Sequence, residues 1–201
     1  EQSLYAEKVI YLPQCRFNFS KPNFDIDIAE QPYLENGYLT FGCFSNTNKL
    51  SDECLELWAS TLKSLPTSRL KLRHKNLSDA SLKNGILETF MNAGVAPGRI
   101  EFYSSEKYDS YLNAYSEVDV MLDTFPFSGA TTSCESLWMG VPVLTLNGEF
   151  PAARQTTSIL KFLSEVDWIA QTKAEYLSIA VDLPNQINKL VEFRKNIRQK
   201  M

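Results

Sequence analysis

Short apolar runs alternate with amphipathic stretches along most of this chain, and this alternation restricts the fold more than any other feature. Residues 38–44, 69–74, 99–104, 118–124 and 141–146 are apolar or rich in β-branched and aromatic side chains, which predicts strands, and "DWIAQ" at 167–171 predicts a short sixth. The intervening stretches carry apolar residues at helical spacing. This repeat predicts an α/β domain: a Rossmann-like, doubly wound, mostly parallel sheet.

Polar caps and prolines divide the intervening stretches into helices. Ser51 is expected to cap a helix, and Asp52 and Glu53 behind it suit the positive end of the helix dipole. Ser78 is expected to begin a second helix. Further helices are expected over 107–118, from the loop at 123–130 to about Gly140, over 152–163, and on both sides of Pro184.

The first 36 residues lack this regularity. Prolines at positions 13, 22 and 32 interrupt them, and long apolar runs are few. Residues 1–36 are therefore expected to be a linker or the edge of a missing neighbour. The chain begins without Met inside a periodic segment and stops in an uncapped helical pattern, so both ends are expected to be cut from a longer protein.

The composition is that of a globular protein. Of the 201 residues, 44% are hydrophobic and 12% are aromatic, which is enough to build a core. The formal net charge is −4 and no block of Lys and Arg occurs, so nucleic acid is not expected as a partner. No apolar run approaches a membrane span, and the protein is expected to be soluble and cytoplasmic.

The cysteines and the single histidine argue against metal chemistry. Four cysteines occur without CxxC spacing, and His74 alone leaves little material for a zinc site or for Ser-His catalysis. The cysteines are expected to be small buried hydrophobes in a reducing compartment. His74, at the end of a predicted strand, is expected to be structural. No metal is expected.

Two loops after predicted strands are candidates for chemistry, because ligands of doubly wound sheets bind outside the carboxyl ends of the strands. The first is "DTFPFSGATTSCES", in which Ser128 and Gly129 precede a helix that opens on Thr131 and Thr132. Backbone N–H groups there can bind phosphate, and Glu135 one turn later can accept from ribose hydroxyls. The alternative is a helix capped by Thr, with Glu135 complementing the dipole.

The second loop, "CFSNTNKLSDE", follows the first strand. Asn46 and Lys49 project from it just before a helix, and a lysine there can neutralise a diphosphate leaving group without proton chemistry. The alternative is a solvated surface lysine.

Four further side chains have weaker signals. Tyr108 and Tyr111, at i and i+3, can flank a base or simply cover the sheet. Arg154 at the start of a helix can reach a phosphate or pair with a carboxylate. Asp123 is expected to cap a turn.

Two long segments resemble the C-terminal half of the catalytic region of the O-linked N-acetylglucosamine transferase family. They are "YLTFGCFSNTNKLSDECLELWASTLKSLPTSRLKL" and "YSEVDVMLDTFPFSGATTSCESLWMGVPVLTLNGE". That family includes the plant SPINDLY-type protein O-fucosyltransferases and bacterial homologues with tetratricopeptide repeats. The resemblance covers residues 5–201 and implies the C-terminal lobe of a glycosyltransferase B-type fold. Residues 1–36 would be the interlobe linker and the edge of a missing N-terminal lobe, and residues 37–201 the nucleotide-sugar-binding lobe.

The resemblance also implies roles for individual residues. Lys49 matches the lysine that stabilises the departing diphosphate, and Asn46 matches an amide side chain near it. Thr131 and Thr132 match the paired threonines of the phosphate-binding helix, and Glu135 matches a carboxylate on the ribose.

Other positions depart from the family pattern. Tyr111 stands where animal members have a histidine against the base, and Tyr108 where they have a lysine near the ribose. Ala130 replaces a histidine that precedes the threonine pair, and the plant fucosyltransferase branch also lacks that histidine. These departures weaken the assignment of uridine and leave a GDP-sugar donor open.

The resemblance therefore implies the nucleotide-sugar-binding half of an inverting protein O-glycosyltransferase, most simply from UDP-N-acetylglucosamine to Ser or Thr of proteins. A GDP-fucose-dependent lobe and a non-catalytic interaction module remain alternatives. A dinucleotide oxidoreductase is disfavoured because "FGCFSNTNKL" lacks the glycine fingerprint. Acceptor proteins would bind through the missing lobe and repeats, so this chain alone is expected to bind nucleotide and hardly turn over.

Overall fold

The computed structural model describes residues 5–10, 15, 17–104 and 107–201; residues 1–4, 11–14 and 16 of the expected linker lie outside this part. Six strands form one sheet in the order β3-β2-β1-β4-β5-β6, and every described pair is parallel. The strands are β1 Thr40–Cys43, β2 Arg69–Arg73, β3 Ile100–Tyr103, β4 Val120–Leu122, β5 Val143–Leu146 and β6 Ile169–Ala170. The predicted parallel, doubly wound sheet is confirmed, including its short sixth strand.

Eight α-helices accompany the sheet in the described residues. They are α1 Tyr33–Asn36, α2 Asp52–Ser64, α3 Ala80–Asn92, α4 Tyr108–Asn113, α5 Thr131–Trp138, α6 Gln155–Phe162, α7 Lys173–Asp182 and α8 Ile187–Lys200. Helix α2 lies against α3 and α7, whereas α5 lies against α8. Every residue of β1 and β4 is buried, so helices cover both faces of the central strands, as the nearly continuous apolar runs predict.

The predicted cap is correct for α2 and wrong for α3. Ser51 caps α2, as predicted, and its hydroxyl accepts from the backbone N–H of Cys54. Ser78 does not begin α3: it ends a 3₁₀ turn, and Asp79 caps the helix by accepting from the N–H groups of Ser81 and Leu82. An ionised carboxylate beside a serine is the stronger acceptor for these N–H groups, which explains the difference.

The segment before the sheet is tied to the domain by a buried carboxylate. Asp119, between α4 and β4, accepts from Gln31 Nε2, from the N–H of Tyr33 and from the N–H of Thr40 at 2.6–2.8 Å. Arg194 on α8 donates from Nε to Gln31 Oε1 at 3.0 Å. The end of residues 1–36, predicted to be irregular, thus includes α1 and joins the first strand, the fourth strand and the last helix.

No helix of the described part is long and apolar enough to cross a membrane.

Candidate functional site

The predicted site lies where the sheet reverses its strand order. β1 and β4 are neighbours, and the chain leaves β1 toward β2 on one side but continues from β4 toward β5 on the other. The loops after these strands, 44–51 and 123–130, therefore lie beside each other at the carboxyl edge of the sheet. This is the point at which parallel α/β sheets bind ligands.

The helix α5 starts without a side-chain cap. Ala130 is its N-cap residue, and no side-chain hydrogen bond caps it. Thr131 is exposed and Thr132 is half-buried, with its Oγ1 3.5 Å from Ser45 Oγ on the neighbouring loop. The alternative of a helix capped by Thr is therefore wrong, and the first turn presents N–H groups that suit an anion.

Asp123 and Gly129 set the direction in which the chain enters α5. The buried Asp123 accepts from the N–H of Gly129 at 2.7 Å and from Thr145 Oγ1 of β5 at 2.7 Å. A Cβ on Gly129 would lie 2.3 Å from Ser133 Oγ and 3.1 Å from Asp123 Oδ1. A side chain at position 129 would therefore clash with Ser133, which explains the glycine there. Asp123 closes the turn, as expected of it, and also holds the next strand.

The side chain of Ser128 points into the protein. It is 1% exposed; its hydroxyl donates to the carbonyl of Ala152 at 3.0 Å and accepts from the N–H of Gln155 at 2.9 Å. The hydroxyl was expected at the mouth of the helix, beside the ligand. Its partners come from a segment more than twenty residues later, which the local sequence does not indicate. Ser128 therefore joins the loop to the start of α6 and does not present its hydroxyl at the surface.

The side chain of Lys49 reaches from the loop at 44–51 to the loop at 123–130. Its Nζ donates to the carbonyl of Ser128 at 3.0 Å and lies 4.3 Å from the centre of the Phe127 ring. Partial burial lowers the pKa of Lys49, and the carboxylate of Asp123 opposes that shift. The ammonium is therefore not a solvated surface charge, and it forms no close ion pair with a carboxylate of the described residues. A partly buried positive charge of this kind suits an anionic ligand.

Asn46 is exposed on the same loop as Lys49. Its Oδ1 accepts from the N–H of Asn48 at 3.0 Å and caps the 3₁₀ turn Thr47–Lys49. The cap fixes the turn that carries Lys49.

A carboxylate held by two tyrosines lies one turn along α5. Glu135 is buried and accepts from the hydroxyl of Tyr108 at 3.2 Å and from that of Tyr111 at 3.0 Å. Burial raises the pKa of Glu135, and the two hydroxyls partly oppose that shift. The rings of Tyr108 and Tyr111 are stacked, and the Tyr111 hydroxyl lies 3.1 Å from that of Tyr115. The predicted tyrosine pair and Glu135 thus form one cluster beside the first turn of α5.

The remaining predicted residues lie at the margins of the site. Arg154 is half-buried at the N-cap position of α6 and has a partner within the protein. His74 lies at the end of β2, where its Nδ1 accepts from the N–H of Asn76, which supports the structural role expected of it. No group of three or more His, Cys, Asp or Glu among the described residues is placed to hold a metal ion.

Comparison with protein families identifies the chain. The family described as Glycosyl transferase family 41 matches residues 24–201. The chain belongs to this family. The match includes both loops of the site and every strand of the sheet, so the resemblance to the O-linked N-acetylglucosamine transferase family is confirmed.

Curated relatives of family 41 have similar sequences over nearly the whole chain. A probable UDP-N-acetylglucosamine–peptide N-acetylglucosaminyltransferase SPINDLY from Hordeum vulgare is 32% identical over 98% of this chain. A UDP-N-acetylglucosamine–peptide N-acetylglucosaminyltransferase from Caenorhabditis elegans is 30% identical over 83%. The chain spans 21% and 14% of the lengths of these two relatives.

The fold of the chain is also similar to that of solved glycosyltransferase structures. An O-GlcNAc transferase from Thermobaculum terrenum is 38% identical and superimposes with a TM-score of 0.77, covering 82% of this chain and 32% of that one. The catalytic domain of a cholesterol-α-glucosyltransferase from Helicobacter pylori is 12% identical with a TM-score of 0.57, covering 80% and 95%. At that identity the second match shows the fold alone. The lobe has the architecture of glycosyltransferase B-type enzymes.

Sequence reasoning missed two features of the site. Tyr115 extends the tyrosine cluster and donates to the carbonyl of Thr132 at 3.3 Å. Phe127 lies against Lys49. The spacing of Tyr115 four residues after Tyr111 was the available signal for the first, because i and i+4 share a helix face. Nothing local indicated the second.

Proposed function

We propose that this chain is the nucleotide-sugar-binding part of an inverting protein O-glycosyltransferase of family 41. The observation that carries the proposal is the convergence of Lys49 and the uncapped start of α5 at the strand-order reversal. A positive charge and free N–H groups at one point suit the diphosphate of a nucleotide sugar. The names of the relatives pair UDP-N-acetylglucosamine with a peptide acceptor, which favours UDP-N-acetylglucosamine as donor and Ser or Thr hydroxyls of proteins as acceptors.

Lys49 and α5 would act on the leaving group. In inverting transfer the acceptor hydroxyl gives its proton to a general base, and its oxygen forms a bond to the anomeric carbon. The bond from that carbon to the diphosphate oxygen breaks, and its electron pair passes to the diphosphate. The leaving group therefore gains negative charge in the transition state. Lys49, Thr131, Thr132 and the N–H groups of α5 would stabilise it more at that point than in the bound substrate, which is what accelerates a reaction.

Glu135 and the tyrosines would hold the nucleoside. With the diphosphate at the start of α5, the ribose would lie one turn along that helix, near Glu135. The buried carboxylate accepts from both Tyr108 and Tyr111, and the exposed Tyr108 is the partner that a ribose hydroxyl would replace. Tyr111 and Ala130 stand where animal members have histidines, so a GDP-sugar, with transfer of fucose, is the second candidate donor.

Thermal unfolding with UDP, GDP and NAD tests this proposal. A ligand that binds only the folded chain stabilises it by about 2.7 kcal/mol at 100 times its Kd, which raises Tm by a few degrees. We expect a shift with UDP that is lost in Thr132→Val and kept in Thr67→Val, an exposed position before β2. A shift with GDP alone would select the fucose donor. A shift with NAD alone, or with none of the three, would contradict the proposal.

A further inference from the structure

The side chain of Phe127 is exposed in a loop whose other side chains are mostly buried. It is 48% exposed, whereas Phe125 is 6% exposed and Thr124 and Ser128 are 1% exposed. Burying a phenylalanine stabilises a fold, and the exposed ring of Phe127 does not contribute this stabilisation as its buried neighbours do. An exposed aromatic ring of this kind within a candidate site suggests contact with a ligand.

The position of Phe127 is fixed by its backbone. Its carbonyl accepts from Thr124 Oγ1 at 2.7 Å, and the next residue, Ser128, donates its N–H to the carbonyl of Ala152 at 3.0 Å. Both bonds are made by the peptide group that joins Phe127 to Ser128, so they hold the chain directly after the ring. The exposure of Phe127 is therefore a property of the folded loop.

The ammonium of Lys49 contacts both the ring of Phe127 and the backbone of the same loop. Lys49 Nζ lies 4.3 Å from the centre of the ring and 3.0 Å from the carbonyl of Ser128. In the proposed function Lys49 stabilises the departing diphosphate. The sugar is joined to that diphosphate through its anomeric carbon, so the sugar must lie next to Lys49 and within reach of Phe127.

We propose that Phe127 is a donor-sugar-binding residue whose ring packs against the hexose of the nucleotide sugar; this inference rests on the proposed function of the site. The C–H face of a pyranose is apolar and carries partial positive charge, and the face of an aromatic ring carries partial negative charge. A flat aromatic surface beside the diphosphate therefore suits the sugar and gives nothing to the nucleoside at the other end of the ligand.

The contact predicts a difference between nucleotide sugar and nucleoside diphosphate. We compare the Kd values of UDP and UDP-N-acetylglucosamine, and of GDP and GDP-fucose, by titration calorimetry on this chain. In Phe127→Ala and Phe127→Leu the nucleotide sugar is expected to bind about tenfold more weakly, while the diphosphate without sugar changes by less than about threefold. Phe127→Tyr keeps the ring and is expected to bind both as the wild type does.

Phe162→Ala is the matched control. Phe162 is 52% exposed at the far end of α6 and is expected to leave every Kd unchanged. An equal loss for nucleotide sugar and diphosphate in Phe127→Ala would mean that the ring acts only on Lys49, which overturns the inference and leaves the proposed function standing. Unchanged binding of the nucleotide sugar in Phe127→Ala would also overturn it. If the wild type binds no nucleoside diphosphate, the proposed function fails, and the inference with it.

Discussion

Lys49 experiences two opposing influences. Partial burial removes water from its ammonium and lowers its pKa, while Asp123 favours the charged form. A partly desolvated charge interacts more strongly with a ligand charge than a fully hydrated one does. In the proposed function, the lowered pKa of Lys49 would make binding of the diphosphate sensitive to pH in a range where ordinary surface lysines remain charged.

We predict that Lys49→Met weakens binding of the nucleoside diphosphate by at least about tenfold, since a charge-assisted contact contributes about 1.5–3 kcal/mol. In the wild type, affinity is expected to fall as the pH rises through the pKa of Lys49, which lies below its ordinary value of 10.5. Calorimetry from pH 7 to about pH 10 measures both effects. Lys63→Met, at an exposed position of α2, serves as the control, and an equal pH dependence in Lys49→Met and wild type would contradict the prediction.

The raised pKa of Glu135 predicts that the free energy of unfolding depends on pH. Burial raises its pKa above the ordinary value of 4.5, so between the raised pKa and 4.5 the folded state binds more protons than the unfolded state. The wild type should therefore gain stability relative to Glu135→Gln as the pH falls through this window. Urea unfolding of both proteins at several pH values measures the difference. A difference that does not change with pH would contradict this assignment.

At the scale of elements, the entry into α5 depends on the turn between β4 and that helix. Asp123 fixes the N–H of Gly129, and Ser133 Oγ fills the space that a side chain at Gly129 would need. Ser133 cannot move freely, because its hydroxyl lies 2.8 Å from Thr156 Oγ1 in the interior. The start of the helix is thus positioned by packing instead of by a capping side chain.

We predict that Gly129→Ala lowers the free energy of unfolding by about 1–3 kcal/mol, because the added methyl must displace Ser133 and break its contact with Thr156. Gly85→Ala is the control. Gly85 lies within α3 with nothing within 4 Å of the added Cβ, so this change should raise the free energy of unfolding by about 0.5–1 kcal/mol. Chemical denaturation gives both values, and equal effects of the two substitutions would refute the packing argument.

The strands were predictable because their signal is local. The three residues of β4, Val120–Leu122, are all apolar, which favours a strand buried on both faces. The cap of α3 differs from the prediction by one residue, because Ser78 and Asp79 are adjacent candidates and only their hydrogen bonds distinguish them. The direction of the Ser128 side chain was not predictable, because its partners belong to a later segment. The same holds for Phe127 and Lys49, which meet only after β1 and β4 pair.

Asp119 joins parts of the chain that are distant in sequence. Its carboxylate accepts from Gln31, Tyr33 and Thr40, and Gln31 in turn accepts from Arg194 of α8. Burial raises the pKa of Asp119, and the donated hydrogen bonds oppose that shift. The network makes the segment before β1 part of the folded domain.

We predict that Asp119→Asn lowers the free energy of unfolding by about 1–3 kcal/mol, because an amide nitrogen would then face a donor and leave it without an acceptor. Hydrogen exchange should become faster at the N–H groups of Tyr33 and Thr40, and should change less at the N–H groups of the other strands. Asp79→Asn, which preserves a good helix cap at an exposed position, is the control. Unchanged exchange at Tyr33 and Thr40 would contradict the linking role of Asp119.

The strand order has a consequence for the time course of folding. Lys49 and Ser128 are 79 residues apart in sequence, and they meet only when β4 takes its place beside β1. Strands β1 to β3 are neighbours in sequence order and can pair first, at a lower cost in loop-closure entropy. A refolding intermediate made of these three strands would hold one of the two loops and would lack the complete candidate site. The appearance of nucleotide binding during refolding would therefore mark the moment at which the second half of the sheet joins the first.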